Sequence, residues 1–309
     1  MNRAHQNGVL LMTYGSPSSV EREDVAAYLG RIRGGRMADP ELIDEFTRRY
    51  RVIGGSPLIG ITRGQAAALA SSLGWPVEVG MRFSEPSILV GLSALATSGV
   101  TSVVAIVLSP QYSPLLMGGY GAAIDAARAS LGDSAPELTG AAAWHEEPAF
   151  IAALVRRVTD ALDRLAPDER ESVSVLMTAH SLPRLVAERE PDYLAQLRAT
   201  AGAVAEGAGL TDRDWTFCWQ SAGHEPGEWM TPDFADLMPQ IAAAGRRSVL
   251  VVPVQFLADH LEILYDIDVG AREQAEQCGL AFHRIESLNV DPGLVAALGS
   301  VARRTLSPG

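Results

Sequence analysis

Several side chains in this sequence are of types, and stand at spacings, that could do chemistry. His180 sits where the apolar run SVSVLMTA breaks into the turn HSLP. A polar ring at the end of a buried strand has either a structural partner or a proton to move. Further along, ADHLEILYDID (258–268) carries Glu262, Asp266 and Asp268, and helical spacing would put Glu262 and Asp266 on one face. An imidazole together with carboxylates suits a divalent first-row metal and equally suits proton removal near neutral pH. Each part also has a plain structural reading: His180 as a packed strand-end residue, the acidic row as a solvated helix face with Asp259 as its N-cap, and His260 as a packing or capping residue beside Glu262.

A second group lies in the first half. Tyr14 ends the run GVLLMTY in the turn YGSP, where a tyrosine either packs on the next helix or faces a ligand. GRIRGGR (30–36) and TRRYR (47–51) gather Arg31, Arg33, Arg36, Arg48, Arg49 and Arg51, and guanidinium forks suit carboxylates. A solvated pair of helices would carry some of these arginines too. GGSPL (54–58) follows, a turn able to bring backbone close to a ligand.

The elements that must position these groups alternate. Aliphatic runs at 8–14, 75–81, 102–110, 172–179, 215–220 and 248–254 read as strands. Alanine-rich amphipathic stretches such as PSILVGLSALATSG and PAFIAALVRRVTDALDRL read as helices between them. This is the pattern of βαβ units around parallel sheets, an α/β fold. VLLMTYGSP resembles SVLMTAHSLP, with Met12 and Met177 separated by 177 − 12 = 165 residues, and SVVAIVLSPQY resembles RSVLVVPVQF. Two similar lobes follow, 1–145 and 146–309, with the last helix able to pack back on the first lobe. Ligands of open α/β sheets bind beyond the carboxyl ends of the strands, which is where Tyr14 and His180 stand in their respective repeats. The expected binding site is therefore a cleft between the lobes.

Composition bounds the function. The 309 residues are 47% hydrophobic, enough to give each lobe its own core. A net charge of −12 argues against binding nucleic acid or an anionic membrane surface, so an anionic ligand must be met locally. The amino-terminal apolar stretch is too short for a signal peptide or a spanning helix, which predicts a cytoplasmic protein without an integral membrane segment. Cys218 and Cys278 lie in no metal-ligand spacing, so the pair predicts neither a zinc site nor an iron–sulfur cluster.

Read in order, YGSP, IRGGR, RYRVIGGSPL, SPQYS, TAHSLP, WQSAGHEPGEWMTPDF and ADHLEILYDID resemble the ferrochelatase family, from about residue 8 to about residue 285. The resemblance implies two Rossmann-like lobes that bind no dinucleotide and grip a porphyrin between them. It places the family's histidine on His180 and its catalytic glutamate on Glu262, both meeting the Fe2+ substrate. Tyr14 matches the tyrosine that faces the metal from the opposite side of the macrocycle, axial to the product iron, in the soluble coproporphyrin III type. Arg33, Arg49, Tyr50, Ser56 and Tyr120 fall on positions lining that group's substrate pocket.

The implied activity is a lyase of heme biosynthesis that inserts Fe2+ into coproporphyrin III and releases two protons. It would hold no permanent cofactor, act as a monomer, and be open to transient contact with the downstream decarboxylase. The alternatives are a protoporphyrin IX ferrochelatase and a cobalt or nickel chelatase of a more reduced tetrapyrrole. A two-lobed solute-binding protein would also bury an anion between lobes, but has no use for a paired histidine and glutamate. Two positions depart from the family pattern: Gly270 stands where relatives continue the acidic row, and GGSPL is one residue shorter than the usual GGxSPL.

Overall fold

The structure, a computed structural model, describes residues 6–223 and 227–307. The centre of the WQSAGHEPGEWMTPDF motif, His224 to Pro226, lies outside the described residues. The chain divides into two compact units, one of residues 1–144, 258–261 and 289–309, the other of residues 145–257 and 262–288.

The first unit runs β1 (Asn7–Thr13), α1 (Arg22–Ile32), α2 (Pro40–Val52), α3 (Leu58–Leu73), β2 (Val77–Met81), α4 (Ile88–Thr97), β3 (Ser102–Val107), α5 (Pro114–Leu131) and β4 (Glu137–Gly140). The second runs α6 (Pro148–Asp163), α7 (Pro167–Arg170), β5 (Val173–His180), α8 (Arg184–Ala187), α9 (Pro191–Gly207), β6 (Trp215–Gln220), α10 (Phe234–Ala243), β7 (Ser248–Pro253), a π-helix (Glu262–Ala271), α11 (Arg272–Gln277) and β8 (Ala281–Arg284). The final helix, α12 (Pro292–Leu306), belongs to the first unit and packs on α3.

Both sheets are wholly parallel, in the orders β2-β1-β3-β4 and β6-β5-β7-β8. The orders are the same once the strands of each unit are counted from its own first. Central strands of such sheets are covered on both faces, which is why they read as unbroken aliphatic runs rather than alternating ones. Val9, Leu10 and Leu11 of β1 and Leu176 and Met177 of β5 are fully buried. The six strands expected from the sequence all form, the run at 215–220 matched at both ends and the others shifted by one to three residues. The run at 75–81 begins pairing only at Val77, after Pro76, which has no N–H to give but whose carbonyl accepts from Val9 N (3.0 Å).

Two edge strands, β4 and β8, have no counterpart in the sequence reading. Both are four residues long, β4 largely exposed and β8 with Phe282 as its one buried residue, so they carry neither an apolar run nor clean alternation. The repeat is also tighter than sequence matching suggests. Leu108 N–H donates to Met12 O (2.8 Å) where β3 leaves β1, and Val254 N–H donates to Thr178 O (3.0 Å) where β7 leaves β5. Matched on these bonds the units are offset by 178 − 12 = 166 residues, one more than the 165 between the methionines, and Tyr14 then coincides with His180.

Candidate active site

In the second unit, β5 delivers His180 at its last residue, and every polar group around the ring has a partner. The backbone N–H of His180 donates to Gln255 Oε1 (2.8 Å), and Gln255 Nε2 donates to the buried Tyr193 hydroxyl (2.6 Å). The next residue locks the turn: Ser181 N–H donates to Gln220 O (2.7 Å) and Ser181 Oγ to Met230 O (3.0 Å). His180 Nδ1 lies 2.5 Å from Ser181 O, which fixes the proton on Nδ1 and leaves Nε2 to exchange. Nε2 faces Glu262 Oε1 at 3.5 Å, with the two side chains 28% and 34% exposed, and the Phe256 ring stands edge-on at 6.4 Å.

This arrangement sets the charge of the imidazole. Burial is the largest single influence and acts to lower its pKa. The Glu262 charge and hydrogen bond, the Ser181 carbonyl and the Asp266 charge together outweigh burial, and the imidazole is pushed up to about 9. At neutral pH the free protein therefore holds a proton between His180 and Glu262.

The helix carrying Glu262 differs from the expectation. It is a π-helix from Glu262 to Ala271, wider than an α-helix, and Glu262 stands in its first turn. Asp268 is removed from the carboxylate row: Arg284 of β8 grips it through both oxygens, at 2.7 and 2.8 Å. Of the three carboxylates expected to act, Glu262 meets His180 directly and Asp266 reaches it through its field. Asp259, read as a possible N-cap, exchanges hydrogen bonds with Asn289: its backbone N–H donates to Asn289 Oδ1 and its Oδ2 accepts from Asn289 Nδ2, both at 2.9 Å. His260 Nδ1 lies 2.9 Å from Ala258 O. Among the described residues no group of three or more His, Cys, Asp or Glu could hold a metal ion.

In the first unit, Tyr14 follows β1 directly. Gly15 takes φ +93°, and a Cβ there would collide with Ser84, so the turn requires glycine. Tyr28 Oη donates to Gly15 O (2.9 Å), Ser16 N–H donates to Ser84 Oγ (2.9 Å), and Phe83 N–H donates to Tyr14 O (3.0 Å). Tyr14 is thereby held 45% exposed. Its ring stands edge-on to the buried Tyr120 at 6.2 Å and tilted against Phe83 at 5.1 Å. Burial pushes the Tyr120 phenol strongly up, so it stays neutral.

The remaining candidates lie on α1, α2 and the turn after them. Arg33 caps α1 through its backbone N–H to Leu29 O (3.0 Å), and Ser56 Oγ accepts from Leu58 N–H (3.4 Å). Tyr50 is buried near the end of α2. Arg49 donates to Glu45 Oε1 (2.8 Å) and covers the Phe46 ring at 5.5 Å. Arg48 and then Arg49 hold Glu45 at a pKa of about 2. The arginine cluster is thus less available to an outside anion than its sequence implies: Arg48 and Arg49 share Glu45, Arg51 pairs with Glu21 at 3.5 Å, and Arg31 Nε donates to Phe83 O (2.6 Å). A shallow concavity of about 570 Å³ between Arg22, Asp44, Thr47, Arg48, Arg51 and Val52 takes two arginines of the cluster but none of Tyr14, Arg33, Arg49, Tyr50, Ser56 and Tyr120.

The sequence reading missed Arg82, Gln255 and the Asp268–Arg284 pair. The strand-end rule that picked out Tyr14 and His180 would have found the first two, since Arg82 follows β2 and Gln255 stands two residues past β7.

Comparison with known proteins identifies the family. The ferrochelatase family model matches residues 6–306. A ferrochelatase of Deinococcus radiodurans is 38% identical over 304 residues, covering 96% of this chain and 95% of its own length. The coproporphyrin III ferrochelatases of Geobacillus thermodenitrificans and Bacillus subtilis are 36% and 34% identical, each over 97% of this chain and at least 96% of their own. Among solved structures, SirB from Bacillus subtilis with Fe3+ superposes with a TM-score of 0.61 at 12% identity, over 98% of this chain and 96% of that one, a likeness of fold. No helix among the described residues is long and apolar enough to cross a membrane. The chain belongs to the ferrochelatase family, enzymes of heme biosynthesis that insert a metal ion into a porphyrin.

Proposed function

We propose that this ferrochelatase inserts Fe2+ into coproporphyrin III to give coproheme, with His180 and Glu262 acting at the reacting centre. The observation that carries the roles is the His180 Nε2 to Glu262 Oε1 approach of 3.5 Å at the end of β5. Insertion removes two pyrrole protons, and a planar macrocycle hides its nitrogen lone pairs in the ring plane. Binding energy from the periphery can offset about 1 to 5 kcal/mol of macrocycle distortion. With Nδ1 tied to Ser181, the imidazole exchanges protons through Nε2 alone. Fe2+ arriving beside Glu262 opposes the charge that holds the imidazole near 9, so His180 releases its Nε2 proton to solvent water and can then accept and pass on to solvent each of the two pyrrole protons in turn. Iron is the substrate, and the enzyme keeps neither a resident metal nor an iron–sulfur cluster.

Tyr14 is the axial group toward the product iron, and Arg33, Arg49, Tyr50, Ser56 and Tyr120 line the porphyrin site. Support for the tetracarboxylic substrate comes from the relatives named coproporphyrin III ferrochelatase and from the Tyr14 position. The enzyme works as a monomer and hands coproheme to the downstream decarboxylase.

Anaerobic incubation with Fe2+ and either coproporphyrin III or protoporphyrin IX, followed by visible absorbance, tests the reading. Coproporphyrin III should be preferred by at least about tenfold in kcat/KM, because one further charge-assisted contact suffices for that ratio. Equal or better use of protoporphyrin IX overturns the assignment.

A further inference from the structure

Arg82, the first residue after β2, has its guanidinium inside an aromatic cradle. The Phe83 ring centroid lies 4.7 Å from its Cζ, Tyr120 5.5 Å and Tyr14 5.8 Å. The fourth wall is backbone: Gly119 of α5 presses against the guanidinium so closely that a Cβ at 119 would occupy its space. The backbone N–H of Arg82 donates to Thr13 O (2.9 Å), which ties the residue to the end of β1.

A guanidinium has two kinds of surface. Its faces accept aromatic rings, whereas its five N–H donors lie in the plane and require acceptor oxygens. At Arg82 three aromatic rings and the Gly119 backbone surround the group. Among the described residues no side-chain N–H of Arg82 meets a protein oxygen, in contrast to Arg31, Arg49 and Arg284, whose donors reach Phe83 O, Glu45 and Asp268. The group is neither deeply buried nor fully exposed, so it is partly stripped of water while its donors stay open. Beside it the Tyr14 ring offers an exposed apolar face.

From this we infer that Arg82 is a carboxylate-binding residue of the porphyrin site, taking a peripheral carboxylate of a planar aromatic ligand that lies against Tyr14. The inference rests on the reading that Tyr14 faces the porphyrin. A flat apolar ring bearing carboxylates at its edge matches an exposed aromatic face beside in-plane donors. The overall charge of −12 makes a local cation necessary for such a ligand, and Arg48, Arg49 and Arg51 are already engaged with Glu45 and Glu21.

The test is equilibrium binding without iron, so that it does not depend on turnover. Quenching of porphyrin fluorescence would be titrated with wild type, Arg82→Met and Arg82→Lys, using coproporphyrin III and protoporphyrin IX at low and high KCl. Arg82→Met should weaken coproporphyrin III at least about tenfold and flatten the salt dependence, the loss expected for one charge-assisted contact. Arg82→Lys, keeping charge but losing the fork, should recover about half of that loss on a logarithmic scale. Should Arg82→Met fail to fold, Arg82→Lys decides alone, and unchanged affinity there overturns the inference. Affinity within twofold of wild type in Arg82→Met overturns it as well, as does an equal loss in both variants accompanied by a fallen Tm, which would make Arg82 a plug for the aromatic cradle. Wild type that binds neither porphyrin overturns the functional reading and this inference with it. Wild type that binds while Arg82→Met is unchanged overturns the inference alone.

Discussion

Two strand ends in this molecule share a backbone and differ in chemistry. Tyr14 after β1 and His180 at the end of β5 occupy equivalent places in sheets of the same order, 166 residues apart by their hydrogen bonding to the neighbouring strand. Around His180 the neighbours are a carboxylate, a carbonyl and an amide, and the imidazole is held positive. Around Tyr14 the neighbours are two aromatic rings and a guanidinium, and the nearby phenol of Tyr120 is held neutral. Repeating a topology therefore repeats where a side chain can reach a ligand. What that side chain can do is decided by the next layer of residues.

The comparison breaks most visibly at His180. His180→Ala should lower the insertion rate by about 10³-fold while porphyrin affinity stays within about tenfold, because general acid–base groups contribute on that scale and the proposed role of this ring is at the reacting centre. Steady-state kinetics beside fluorescence titration measure both, and turnover near wild type would place the chemistry elsewhere. Tyr14→Phe should be far milder, with insertion within about threefold of wild type and a changed visible spectrum of the bound product, since in the proposed role its phenol meets the product rather than the proton transfer. A loss as large as that of His180→Ala would mean that the two strand ends share the proton chemistry.

Glu262→Gln sharpens the comparison further. It keeps size and hydrogen bonding but removes the charge that opposes burial, so the His180 imidazole should titrate at least about one pH unit lower by NMR. Insertion should fall by about 10²-fold. An unmoved titration would mean that Ser181 and Asp266 alone sustain the proton.

The smallest expected effect is on stability. The folded-state pKa of His180, about 9, lies above the ordinary 6.5, so proton binding favours the folded protein. That contribution, on the order of 1 to 3 kcal/mol for a ring this shielded, is complete below about 6.5 and is lost as pH rises through about 9. Urea unfolding of wild type across that window should show the decline, and Glu262→Gln should flatten it.

Some of this was legible in the residues themselves. Buried parallel strands must be aliphatic on both faces, so β1, β3, β5 and β7 stand out as runs, and their ends mark Tyr14 and His180 without any coordinates. The order of TAHSLP and ADHLEILYDID marked Glu262 as the partner of His180. Local sequence cannot report which partners a polar group finds far along the chain. Asp268 looks as available as Glu262 until Arg284 of β8 closes on it, and the arginines of α2 look open until Glu45 takes two of them. The hold of Gln255 and Tyr193 on the His180 backbone and the Arg82 guanidinium against Gly119 likewise join segments that the chain separates by tens of residues. The sequence by itself determined six of the eight strands, the family and the pair that meets at β5, because apolar periodicity and motif order are local. Tertiary structure decided which charges remain free to act, because pairing and burial depend on neighbours that only folding supplies.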